Sequence, residues 1–136
     1  MPGPLNPTLG ELIDRYLIVR LKILHTTSSA VERKKLLHDE RATLLHAITR
    51  RHPQGRRFER DRLVRSLARI HGKLWEDEDR VRNTDIRLVT ALARLAKEIS
   101  LLNDERSACI ARISEAAGER IAGKVYGAKA ANGTGA

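Results

Sequence analysis

Leu74-Trp75-Glu76-Asp77-Glu78-Asp79-Arg80-Val81-Arg82 is the densest stretch of the chain: its only tryptophan runs into four consecutive acids and then two arginines. Adjacent carboxylates repel one another. In a chain of net charge +9 they call for an offset from their own arginines, the surrounding basic surface or a metal ion. With Leu63, Leu67, Ile70 and Leu74 upstream and Val81 inside it, the stretch reads as the end of an amphipathic helix over residues 57–82, about 40 Å long. Gly72 lies inside that helix, where glycine costs about 1 kcal/mol against alanine. It predicts a close helix contact or a bend beside Trp75.

The elements on either side are helical too. Thr8-Leu9-Gly10-Glu11 reads as a capping box opening a helix over 9–26. Its main apolar stripe is Leu9, Leu12, Ile13, Tyr16, Val19 and Ile23, and a second row holds Glu11, Asp14, Ile18, Leu21 and His25. A helix that must be covered on two sides belongs at the centre of the fold. A second box, Ser29-Ala30-Val31-Glu32, predicts a one-faced helix to residue 51, ended by His52-Pro53-Gln54-Gly55. Asn83-Thr84-Asp85 caps a fourth helix over 86–117, whose stripe is Val89, Leu92, Ala96, Ile99, Asn103, Arg106, Ile110 and Ile113.

These patterns predict an all-α antiparallel bundle of four main helices, with a lead-in over 1–7 and a single domain over 8–126. A short extended segment at 121–126 closes the domain, and a Gly- and Ala-rich disordered tail follows over 127–136. Composition agrees: 41% apolar and 32% charged residues with only 3% aromatic suit an aliphatic helical core. The single cysteine, Cys109, excludes an internal disulfide and a cysteine-based zinc site, as befits a cytoplasmic protein. Glu11, Asp14 and Arg15 interrupt the first apolar stretch, which predicts no cleaved leader, and no run is long enough for a membrane span. Leucine-rich helices of this length also suit a homodimer, which would relieve the burial shortage of a small core.

Three constellations carry chemistry. His71, Trp75, Glu78 and Arg82 share one row of the third helix. Asn103 and Arg106 interrupt the apolar stripe of the fourth, and a buried guanidinium needs an anionic partner. Carboxylates from three helices, Glu11, Asp14, Glu78 and Asp104, form a candidate set for Mg²⁺, with Glu78, Asp79, Asp104 and Asp14 as candidate acids or bases. In this reading Asp77 is solvated, Arg82 and Arg106 hold phosphate, Asn103 orients it, and Trp75 and His71 complete the substrate site. The competing reading makes these charges structural ion pairs that fix helix register.

The basic excess concentrates at one corner. Arg50, Arg51, Arg56, Arg57, Arg60, Arg62, Arg65 and Arg69 stand against Glu59 and Asp61, leaving +6 within residues 50–69. With Phe58 as the one aromatic, the corner suits the phosphate backbone of DNA or RNA. The alternative is a non-enzymatic nucleic-acid-binding or assembly protein whose inner charges only hold the bundle. The five histidines show no metal-ligand spacing and read as surface or core residues.

Gly10-Glu11-Leu12-Ile13-Asp14-Arg15 with Leu21-Lys22, Leu74-Trp75-Glu76 with Glu78-Asp79 and Arg82, and Leu102-Asn103-Asp104 with Arg106 occur together in order. In this the chain resembles an uncharacterised bacterial family of small all-helical proteins found in lipopolysaccharide and sugar-nucleotide gene neighbourhoods. The resemblance runs from Thr8 to about Tyr126 and implies an all-helical fold with a shared polar site at these positions. Residues 50–69 are richer in arginine than that family, which favours a polymeric over a small sugar-phosphate substrate. Together these readings lead to an inter-helix acidic and arginine site for a phosphorylated substrate, with modification of a nucleotide or nucleic acid as the expected chemistry.

Overall fold

A computed structural model describes residues 6–119. Four long helices, α1 (Leu9–His25), α2 (Val31–Arg51), α3 (Arg62–Asn83) and α4 (Val89–Ala116), and a 3-10 segment (Gly55–Arg60) between α2 and α3 make an all-α bundle. Among the described residues there is no strand, and no helix is long and apolar enough to cross a membrane. The lead-in to residue 5, the segment 121–126 and the tail 127–136 lie outside the described residues.

The centre is α1. It packs on α2 on one side and on the α3–α4 pair on the other, whereas α2 touches only α1 and the 3-10 segment among the described elements. The two apolar rows of α1 require this arrangement. Leu9, Ile13, Tyr16, Leu17 and Val19 of α1 are buried with Ile48 of α2, Leu67 of α3 and Ile113 of α4. Each fully buried side chain of this size stabilises the fold by about 1.5–3 kcal/mol.

Three helix boundaries differ from the sequence expectation, each for a local reason. The Thr8–Glu11 capping box forms, but the Ser29 box does not: Ala30 is the N-cap of α2 without a side-chain bond, and the Ser29 hydroxyl pairs with Thr27 instead. The third helix starts at Arg62, not at residue 57. Asp61 caps it by accepting from the Leu63 and Val64 amides, and the residues before it wind into the 3-10 segment that buries Phe58. Phe58 meets the Tyr16 ring edge-on at a centroid distance of 5.4 Å. Asp85 does not cap the fourth helix; its carboxylate folds a turn onto Arg87, and the helix begins at Val89.

The corner is fastened by buried His52. Its Nδ1 accepts from the Gln54 amide at 2.9 Å, so the ring proton sits on Nε2, 3.2 Å from Asp61 Oδ2. The end of α2 is thereby tied to the cap of α3.

The N-terminus of α1 docks on the last turns of α4. The Gly10 amide donates to Ser114 Oγ at 2.8 Å and the Leu9 amide to Glu119 Oε1 at 2.7 Å, satisfying two of the free N–H groups of the helix end. Gly10 lies directly on the Ile110 carbonyl, with no room for a Cβ. Gly72, by contrast, has nothing within 4 Å of where a Cβ would be. The close helix contact expected at Gly72 is therefore made at Gly10, in the first turn of α1.

Candidate anion site

Asp14, one turn after Gly10, is buried between α1, α3 and α4. Arg106 clamps it with both arms, Nε donating to Oδ1 at 2.9 Å and Nη2 to Oδ2 at 2.7 Å. His71 completes the shell through Nε2, 2.6 Å from Oδ1. Burial alone would raise the Asp14 pKa, but the hydrogen bonds and charges of His71 and Arg106 outweigh it and hold the carboxyl below its ordinary value. The same pairing raises the guanidinium of Arg106, against burial and with a smaller contribution from the charge of Glu78. Arg106 Nη1 also donates to Asn103 Oδ1 at 3.4 Å. The polar interruption of the α4 stripe thus has its partner: of the candidate acids, Asp14 takes Arg106.

Because an ionised carboxylate only accepts, the Nε2 of His71 carries the proton. The other ring nitrogen, Nδ1, bonds to no protein group among the described residues. The ring is also part of the wall of a cavity of about 520 Å³ between α1, α2 and α3. Arg20, His38 and Arg41 supply the other polar walls, and Leu17, Leu21 and Leu24 line the apolar side. The guanidinium carbons of Arg20 and Arg41 stand 5.8 and 6.0 Å from the centroid of the Tyr16 ring. Arg20 is paired with Glu59 at 2.8 Å, while Arg41 has no carboxylate partner among the described residues. An arginine without a carboxylate partner, in the wall of the same cavity as a histidine, is equipped to hold an anion.

The remaining sequence candidates are dispersed. Glu11 is spent in the capping box, and Asp104 is exposed. Among the described residues no group of three or more His, Cys, Asp or Glu is placed to hold a metal ion, so Glu11, Asp14, Glu78 and Asp104 do not assemble as one ligand set. Glu78 is exposed and reaches the network only through its charge on Arg106. Asp79 and Arg82 pair with each other at 3.1 Å on the surface. Trp75 stacks on His25, with centroids 4.5 Å apart, and does not join the Asp14 network.

Asp77, expected in solvent, is 2% exposed, and its Oδ2 is buried without a hydrogen-bond partner among the described residues. Its proximity to Glu98 of α4 raises the pKa of that carboxyl. Cys109 packs: its thiol donates to the Leu63 carbonyl at 3.2 Å, and burial raises its pKa.

In the arginine corner, Arg51 pairs with Glu119 at 2.6 Å and Arg69 bonds Ser66. Arg50, Arg56, Arg57, Arg60, Arg62 and Arg65 are exposed and make no ion pair among the described residues. Phe58, expected to accompany them at a nucleic acid, is instead a core residue at 1% exposure.

Arg20, His38 and Arg41 were not legible as site residues in the sequence. The available signal was the second row of α1, which demanded a covering helix, and the i, i+3 spacing that puts His38 and Arg41 on one face of α2. No family model, curated protein or solved structure matches the chain.

Proposed function

We propose that the chain binds a phosphorylated small molecule in the cavity between α1, α2 and α3, with Arg41 on the phosphate, Arg20, which is paired to Glu59, as a second cation of the wall, and His71 as the group that exchanges a proton with the ligand. One observation carries this reading: Arg41, without a carboxylate partner, shares a cavity with a histidine whose other nitrogen is fixed by Asp14. Arg106 is already committed to Asp14, so its role is to hold the acid that positions His71. That division of labour suits an enzyme acting on the bound phosphate compound, because an imidazole held by a carboxylate through one nitrogen is oriented to exchange a proton through the other.

Isothermal titration calorimetry with inorganic pyrophosphate, run with and without Mg²⁺, tests the reading. Saturable binding that weakens at least about tenfold in Arg41→Ala is expected, since charge-assisted bonds to phosphate contribute about 1.5–3 kcal/mol each. Absence of binding at low salt, or unchanged affinity in Arg41→Ala, refutes it.

A second reading rests on the seven exposed arginines of the corner, Arg69 included, that make no ion pair among the described residues. It makes that corner a phosphate-backbone contact for DNA or RNA, read as charge without sequence. Neutralising Arg56, Arg57 and Arg60 together would then flatten the salt dependence of binding to a short DNA duplex. An unchanged slope refutes it.

A further inference from the structure

Resting on the cavity reading above, we infer that its ligand is an amphiphile: a phosphate head on an apolar chain, with no sugar or base. The lining residues contain no carboxylate, amide or hydroxyl side chain; the polar ones are Arg20, Arg41, His38 and His71. A sugar or a nucleobase needs acceptors and donors in pairs for its hydroxyls and ring edges, and burying it against unmatched walls leaves those groups without partners. A phosphate needs only donors, which arginines supply.

The two chemistries are also separated in space. Arg20 and Arg41 gather at the Tyr16 ring, while Leu21, Ile23 and Leu24 carry the cavity on toward the C-terminus of α1, with Leu17 and Ala68 as further apolar wall. From Tyr16 to Leu24 the helix rises about 12 Å, enough for a chain of several methylenes to lie past the head. Leu24 is 74% exposed, a large apolar side chain at the cavity wall that nothing among the described residues covers. The chain of the ligand covers it.

The test is calorimetry of the full chain with methyl, butyl and hexyl phosphate below their aggregation limits, beside pyrophosphate. Burying methylenes predicts a two- to fourfold gain for each, so hexyl phosphate binds at least about 30-fold tighter than methyl phosphate. Leu24→Asn, at a residue too exposed to be needed for folding, cuts that ratio several-fold and leaves methyl phosphate unchanged. Arg41→Ala weakens all three. The same headgroup also occurs in bilayers, so co-sedimentation with vesicles of phosphatidic acid in phosphatidylcholine is run in parallel. Co-sedimentation identifies a membrane source; tight hexyl phosphate binding without it identifies a free one. Equal affinity for methyl and hexyl phosphate, or a chain-length gain unaffected by Leu24→Asn, overturns the inference while pyrophosphate binding keeps the cavity reading. If pyrophosphate and all three esters fail to bind, both fall.

Discussion

Replacing Gly10 by alanine is the sharpest single perturbation of this fold. The added methyl would lie 2.7 Å from Ser114 Oγ and 2.9 Å from the Ile110 carbonyl carbon, and nearer still to the Ile110 oxygen. Carbon contacts are at their best near 3.5–4.0 Å, so α1 must retreat from α4 by about 1 Å at this end. Overpacking of this kind costs about 1–3 kcal/mol. The retreat also stretches the Gly10–Ser114 and Leu9–Glu119 hydrogen bonds, each contributing about 1 kcal/mol. The helix propensity of alanine returns at most about 1 kcal/mol. The net loss is about 2–4 kcal/mol. Gly72→Ala is the matched control: with nothing within 4 Å of its Cβ position, it should stabilise by about 0.5–1 kcal/mol. Urea unfolding followed by circular dichroism reads both, with the midpoints moving in opposite directions at constant slope. A Gly10→Ala protein as stable as the wild type would refute the close approach of α1 and α4.

Asp14→Asn removes the anion between His71 and Arg106 and leaves a half-buried guanidinium short of its partner; a loss of about 2–3 kcal/mol is expected in urea unfolding, partly recovered in the double variant with Arg106→Gln. The pH dependence follows from the depressed Asp14 pKa: its contribution is fully present above the unfolded value near 3.8 and is lost as pH falls through the lower folded value. Below about pH 4 the stability of the wild type should therefore fall more steeply than that of Asp14→Asn. Asp77→Asn ends the burial of an unpartnered charged oxygen and removes the charge that raises the Glu98 pKa, with the loss of only a long 3.5 Å pair with Arg80, so at pH 7 its urea midpoint should lie above that of the wild type. Because the Glu98 pKa is raised, this pair is at its best below the unfolded value of 4.5 and loses stability as pH rises, so the advantage of Asp77→Asn should shrink in acid; a constant advantage would argue against repulsion between the two acids. Arg82→Ala breaks only a surface pair with Asp79 and should change stability by less than about 0.5 kcal/mol and leave pyrophosphate binding intact.

The part of the site that could be read from the sequence is the part dictated by a local conflict. Arg106 in an apolar stripe demanded an anion, and the two-sided α1 demanded cover. Which acid would answer was not local information. Glu11, Asp14, Glu78, Asp79 and Asp104 were equivalent on paper, and the choice falls to the register of α1 against α4. That register is set at Gly10, which lies on Ile110. In an antiparallel pair, one turn forward on α1 meets one turn back on α4, and this brings Asp14 to Arg106 about 5.4 Å further along. Glu11, one residue past Gly10, turns outward to the helix cap. The cavity residues were hidden for a related reason: His38 and Arg41 matter only once α2 lies across α1, and a charged position on an amphipathic helix reads the same whether it faces water or a cavity. The glycine contact and the anion site are therefore one device. If the register is held by Gly10, then Gly10→Ala should slacken the Asp14 clamp as well as the helix end, and its stability should lose part of the steep acid dependence below about pH 4 that Asp14 confers. A Gly10→Ala protein that is destabilised but keeps the full acid dependence would show that Asp14, His71 and Arg106 hold their register without it.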